Sequence, residues 1–192
     1  KKYKPGITGL EIAKDISVSL SKVAIAILIN GEQRDLSDPI NKDCLANIIT
    51  IKDELGLEIM RHTIAAQVLA RAIKNIYPEA KLAIGPTIQN GFYYDVLLKE
   101  TISSDDLFTI EEEMKKIVKE GHSINKIIKS KNEAKKLFEK LKEPYKVQII
   151  NDSLQESDFQ IYQQGQANFF DLCKGPHLPS LKLIGEFKLT KV

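Results

Sequence analysis

The sequence is poor in the residues that cross-link chains or bind metals. Its two cysteines, Cys44 and Cys173, lie far apart in unrelated contexts, so a disulfide framework is not expected and both thiols should be reduced. Histidine occurs only at positions 62, 122 and 177, and arginine only at 34, 61 and 71. No apolar run approaches the roughly 18 to 20 residues that cross a bilayer, and Lys1 to Gly6 lead into no signal-like apolar region. No membrane partner is expected, and the cytoplasm is the expected location. Internal repeats and low-complexity tracts are also lacking.

What is present reads as a folded protein. Apolar residues make up 43% and charged residues 28%, far from the composition of disordered chains. A length of 192 residues suits one medium domain, or one small and one medium. The net charge is +2, yet residues 115 to 146 hold eleven lysines against four glutamates. That stretch can attract phosphates, or it can be a solvated helix face.

Local signals divide the chain in two. Thr8 and Glu11 have the spacing of a capping box, with Leu10, Ala13, Ile16 and Leu20 following at helical intervals, so a helix is expected over about 9–20. Val23 to Ile29 is a β-branched run that meets Asn30-Gly31, a hairpin signal, before Gln33 to Leu36; Asn47 to Ile51 closes the segment as a strand. Helix, hairpin and final strand within about 50 residues are compatible with a β-grasp fold. From Glu54 to Tyr77 apolar residues recur every three or four positions until Pro78, predicting the longest helix.

A larger α+β unit is expected beyond it. Strands are predicted at Lys81 to Ile84, Phe92 to Leu98, Lys146 to Ile150, Phe159 to Gln163, Phe169 to Leu172 and Phe187 to Leu189. Helices are predicted from Ser104 to Gly121 and, by a second capping box at Ser130 and Glu133, to about Leu141. The overall expectation is an α+β chain with a small unit over 1–52 and a larger one over 53–192.

Candidate chemistry concentrates around two histidines. His62 falls inside the long helix and His122 in a polar turn after Gly121; each alone reads as structural or surface. In Cys173-Lys174-Gly175-Pro176-His177 a Gly-Pro turn can bring thiol and imidazole together. Spacing alone leaves a metal half-site, a thiolate with its base and a purely structural loop open.

The stretch from Lys81 to Asp95, containing Gly85-Pro86 and Asn90-Gly91-Phe92-Tyr93-Tyr94, together with Asp171-Leu172-Cys173-Lys174-Gly175-Pro176-His177, closely resembles the second amino-terminal domain of bacterial threonyl-tRNA synthetases. The first 50 residues resemble the ubiquitin-like TGS domain that precedes it. The resemblance implies an amino-terminal fragment whose larger domain hydrolyses serine wrongly esterified to threonine tRNA. The partners it implies are the 3′ end of that tRNA and the serine moiety. It assigns catalysis to His62, Gln67, Lys146, Cys173 and His177, and substrate binding to Thr63, Tyr94, Tyr162, Asp171 and Lys174. No cofactor is implied, since ATP and zinc would belong to a ligase domain that this sequence does not contain. The family's dimer contacts would likewise lie mainly there. Lys174 stands where the family usually has arginine, keeping charge but losing bidentate geometry.

The long helix departs from the family pattern of two histidines four apart. Four residues after His62 stands Ala66; aligned from the other side, the second histidine becomes Gln67 and the first Thr63. One extra residue separates the two anchors. In an ideal helix His62 and Gln67 would point about 140° apart, so the expectation is a single π-type turn between them that keeps both side chains in the site. Related alanyl editing domains bind zinc through two histidines, a cysteine and a further histidine; with glutamine in the set no metal is expected. Loss of chemistry at this helix, leaving a fragment that only docks tRNA, is the alternative reading.

Overall fold

The computed structural model describes residues 1–165 and 167–192. It is a mixed helix-and-sheet chain. A short strand β1 (Ile7–Thr8) leads into α1 (Gly9–Ile16) and α2 (Val18–Val23). The expected single helix is broken at Ser17, which is extended and caps α2 by accepting the Leu20 N–H; serine's hydroxyl competes with the helical ladder and favours a new start. The capping box is formed, with Thr8 N–H donating to Glu11 and Glu11 N–H to Thr8.

Strands β2 (Ala24–Ile29) and β3 (Glu32–Asp35) form the hairpin, with Asn30 and Gly31 both at positive φ as the tight turn requires. A two-residue β4 (Pro39–Ile40) pairs with β1, and β5 (Ala46–Thr50) lies on the other side of β2, giving the antiparallel order β3-β2-β5.

The long helix follows. It comprises α3 (Glu54–Thr63), a π turn (Ile64–Leu69) and α4 (Ala70–Ile76). Gly56 on α3 packs so tightly on the Thr50 carbonyl that a β-carbon there would overlap it. The apolar stripe of this helix ties the chain together. Ile59, Ile64, Val68 and Ala72 join Ile25, Ala26 and Ile49 of the first sheet to Ile110, Met114 and Ile117 further on, in one buried cluster.

Two small hairpin-like pairs come next, β6 (Lys81–Leu82) with β9 (Val96–Leu97) and β7 (Thr87–Ile88) with β8 (Gly91–Phe92). The predicted continuous strand from Phe92 to Leu98 is thus split between two pairs. Helix α5 (Asp106–Glu120) ends at Gly121, which takes the left-handed conformation of a C-terminal cap.

Strand β10 (Ile124–Lys129), unforeseen in the sequence, starts an antiparallel sheet with β11 (Phe159–Gln164) and β12 (Phe170–Leu172). Between β10 and β11 run α6 (Lys131–Lys140), with its capping box formed at Ser130 and Glu133, and α7 (Pro144–Asp152). Residues 146 to 150 are therefore helical, not a strand. Pro144 in the first turn presets the helix, and Lys146 and Ile150, four apart, turn inward on one face while Ile149 stays exposed. Phe187 to Leu189 form no strand either; the Leu189 N–H is taken by Glu111 of α5.

Candidate functional site

A cavity of about 530 Å³ opens between the long helix, the β6–β9 region, α7 and the β11–β12 edge, within the size range of small-molecule sites. Six of the sequence-predicted residues line it: His62, Tyr94, Lys146, Asp171, Cys173 and Lys174. Ile84 and Ile149 add an apolar mouth.

Lys146 reaches the cavity because α7 turns it inward, and its Nζ lies 2.7 Å from Asp171 of β12, with both side chains almost fully buried. The contact is a close charge pair whose angles fall outside those of a hydrogen bond to Asp171 Oδ1. Tyr94 Oη lies 3.4 Å and the Leu172 carbonyl 3.5 Å from the same ammonium. Tyr94 can sit there because Gly85 offers its ring a bare backbone; a β-carbon would overlap it. Burial, then the charge of Asp171, drives the Tyr94 hydroxyl well above its ordinary pKa, so it stays a neutral donor.

Cys173 follows β12 directly, and its Sγ lies 2.8 Å from Nε2 of His62. The thiol is pushed up to about 12, first by burial and then by Asp171. At neutral pH it is therefore held as the thiol, a weak donor and not a nucleophile. Burial likewise depresses His62, partly offset by the charge of Asp171. Thiol and imidazole are both neutral at pH 7.

Behind this front lies a second layer. His177 is buried and stacks face to face on His62, with ring centroids 4.6 Å apart and 8° between planes. Burial, then the neighbouring His62, holds its pKa well below the ordinary value. Thr63 fixes its tautomer. The Thr63 hydroxyl donates to the Ile59 carbonyl and accepts the Leu178 N–H, which leaves Nδ1 of His177, 3.2 Å away, as donor. His177 Nε2 is then a bare acceptor, and it is buried without a hydrogen-bond partner among the described residues. Tyr162 packs edge-on to His177 at 4.4 Å and donates a 2.6 Å hydrogen bond to Asp35. Gly175, at φ +65°, lies so close that a β-carbon would overlap the Tyr162 hydroxyl.

Thr63, Tyr162 and His177 were expected at the substrate or the reacting bond; the structure places all three in this second layer, off the cavity wall. Gln67 requires a sharper correction. The π turn over Ile64–Leu69 is formed, and the Ala70 N–H bonds the Ala65 carbonyl five residues back. Yet the turn delivers Ala66, not Gln67, to the cavity. Gln67 faces β11, where Gln164 Nε2 donates to its side-chain oxygen at 3.2 Å and also to its main-chain carbonyl. Gln164 is in turn held by Arg71, which is paired with Glu120. His122 also contacts Glu120, away from the site. Asp35 and Lys126, which support the second layer, carried no sequence signal; both are ordinary strand residues whose partners are remote in sequence.

The donor atoms of His62, Cys173 and His177 lie within 4.8 Å of one another, a ligand set of the type zinc takes. Orientation opposes it. Two imidazoles stacked in nearly parallel planes cannot both aim an in-plane lone pair at one ion, and the helix supplies Ala66 where a further ligand would stand.

Residues 160–192 match a family model described as the threonyl and alanyl tRNA synthetase second additional domain. Among curated proteins, the whole chain is 46% identical to threonine–tRNA ligase from Acetivibrio thermocellus and 46% identical to that of Francisella philomiragia, covering 30% of each. It is 43% identical to the enzyme of Francisella tularensis subsp. novicida, again over 30% of that protein. Over its full length, then, this chain matches the amino-terminal region of threonine–tRNA ligases and spans just under a third of such a protein.

Proposed function

We propose that the cavity hydrolyses the ester that joins serine to the 3′ end of threonine tRNA, with water as nucleophile. Threonine and serine differ by one methyl group, which a binding pocket exploits for only about 1–3 kcal/mol, so a separate hydrolytic site is the chemical remedy. The observation that carries the reading is the pairing, in one cavity, of a buried ammonium with a neutral imidazole–thiol contact. Lys146 offers positive charge to the oxyanion that forms as water attacks the ester. His62, kept neutral by burial, accepts or orients the water proton at Nε2 once the Cys173 thiol turns from that nitrogen to the substrate. Cys173, protonated, hydrogen-bonds the serine hydroxyl and supplies no nucleophile of its own. Tyr94 and Lys174 face the cavity where the nucleotide end of the substrate would lie.

In the same reading residues 1–52 are a ubiquitin-like β-grasp unit of the TGS type, residues 53–192 are the editing unit, and tRNA is the partner. Of the lysine-rich stretch from Lys115 to Lys146, the exposed members, such as Lys116, Lys119, Lys136 and Lys140, would then meet its phosphates, whereas Lys126 and Lys146 are held inside by carboxylates.

The test is direct. The chain is incubated with seryl- and threonyl-tRNA for threonine, and the release of each amino acid is measured. Serine release well above buffer, with threonyl-tRNA spared, is expected, and Lys146→Ala should remove it. Binding of the tRNA without release would establish the docking reading in its place.

A further inference from the structure

We propose that Asp35, a residue of the amino-terminal unit, is a positioning residue for the site in the larger unit, acting on His177 through Tyr162. Asp35 ends strand β3 and is buried at the contact with the β10–β11–β12 sheet. Its carboxylate gathers three donors from distant parts of the chain. Oδ2 accepts the Tyr162 hydroxyl at 2.6 Å and the Lys126 ammonium at 2.9 Å; Oδ1 accepts the main-chain N–H of His177 at 3.2 Å. Lys126 is also held by Asp38. Burial opposes charge on Lys126, but its hydrogen bonds to Asp38 and Asp35 outweigh that and hold its pKa above the ordinary value.

The consequence reaches the cavity by direct contacts. Tyr162 is held between Asp35 on one side and the Gly175 backbone on the other. Its ring edge abuts the His177 imidazole, whose face stacks on His62, whose Nε2 contacts Cys173. A second link bypasses the tyrosine, since the same carboxylate holds the His177 main chain. The loop carrying Cys173 and His177 is therefore held in place by a side chain more than a hundred residues away. A carboxylate suits this task better than an amide: all three partners are donors, and an amide nitrogen in place of either oxygen would face one of them.

A residue that merely glues the two units would affect stability and nothing else, so the test needs a readout at the histidine rings. Asp35→Asn, Tyr162→Phe and the control Asp38→Asn are prepared in the whole chain. Imidazole nitrogen and carbon resonances of His62 and His177 are recorded by NMR, alongside thermal melts. Asp35→Asn and Tyr162→Phe should each move the His177 ring resonances, whereas Asp38→Asn, whose carboxylate pairs with Lys126 and makes no hydrogen bond to Tyr162 or His177, should leave them in place. If Asp35→Asn does not fold, Tyr162→Phe, which cuts the same link from the other end with the ring retained, decides.

The kinetic arm rests on the hydrolytic reading above. Serine release should fall between about tenfold and a hundredfold in kcat, with KM little changed, because a small misplacement of catalytic groups has costs of that size. Should wild type release no serine, that reading fails, while the resonances still decide the role of Asp35. Ring resonances at wild-type positions in both variants, whatever the melts show, would overturn the proposal.

Discussion

The cavity front and the layer behind it are built from adjacent residues of the same segments yet have opposite physics. His62 and Thr63 are neighbours in α3, and Cys173 and His177 share one loop; in each pair the first lines the cavity and the second is buried with its polar atoms directed inward. In front, Lys146 and Asp171 meet as charges with room for a ligand beside them. Behind, Thr63, Tyr162, His177 and Asp35 hold one another by hydrogen bonds and ring contacts. Motif membership does not separate the two groups; facing does. Front residues should therefore lose activity with little loss of fold, and rear residues should lose both, with one exception that breaks the rule.

That exception gives the largest expected effect. Lys146→Ala removes the cation from a carboxylate that is almost fully buried. Breaking one half of such a pair costs about 3–5 kcal/mol, so this front residue should lose stability as well as serine release. A thermal melt and a release assay separate the two losses. The double variant Lys146→Ala with Asp171→Ala should regain much of the stability and none of the activity, since no charge is then left unpaired. A double variant as unstable as the single one would show that the helix α7 packing, and not the charge, is what Lys146 supports.

The two stacked imidazoles give the next contrast, in pH. Both are held neutral by burial, His177 more strongly than His62. The unfolded chain binds protons at these sites below about pH 6.5, where the fold resists them. Stability is thus fully present above that pH and falls as pH drops below it. His177→Gln should flatten that slope more than His62→Gln does, as read by melting temperature between about pH 7 and pH 5. His62→Gln should instead cost about 10²- to 10⁴-fold in serine release at pH 7, the usual size of a lost acid–base group, with little change in the melt. Equal slopes in the two variants would erase the distinction between front and rear.

The same division explains what the sequence could reveal. Capping boxes at Thr8 and Ser130, the Asn30-Gly31 hairpin and the single extra residue after His62 are local features, and each of them formed. The direction of Gln67 was not local; it is decided by Gln164, 97 residues away. Residues 146 to 150 are rich in β-branched side chains and look like a strand, but a helix lets Lys146 and Ile150 share an inward face against α6 and the sheet. Asp35 could not be found from sequence because all three of its donors lie in the other unit.

Deleting Ala66 tests the π turn directly. With one residue fewer, regular α-helical bonding can resume, and Gln67 falls four residues after His62, on the cavity face. Its side-chain bond to Gln164 is then lost, leaving that side chain to Arg71 and the main-chain carbonyl of residue 67. Melting should fall modestly, by the roughly 0.5–1.5 kcal/mol of a net hydrogen bond. Serine release should change by a smaller factor than in His62→Gln, because the front groups keep their places. If the shortened helix melts above wild type, the π turn is a local strain, and the Gln67–Gln164 contact does not offset it.

The smallest effect is expected far from either layer, and it serves as the baseline for both. Glu111 on α5 accepts the Leu189 N–H at 3.0 Å and contacts Lys115 and Lys188, which draws its pKa down to about 2, with the backbone bond as the main cause. A carboxyl whose folded pKa lies below its unfolded value stabilises the fold above about pH 4.5, and that contribution is lost as pH falls towards 2. Both lysines are exposed to solvent, which screens their share, so the Leu189 bond should dominate. Glu111→Gln should thus melt roughly 2–4 °C lower near neutral pH, with the gap to wild type closing as pH falls through that window. Serine release by this variant should equal wild type. If a loss of stability this small and this distant also slows release, then the slow release expected of rear-layer variants would report general loosening of the fold rather than displacement of His177.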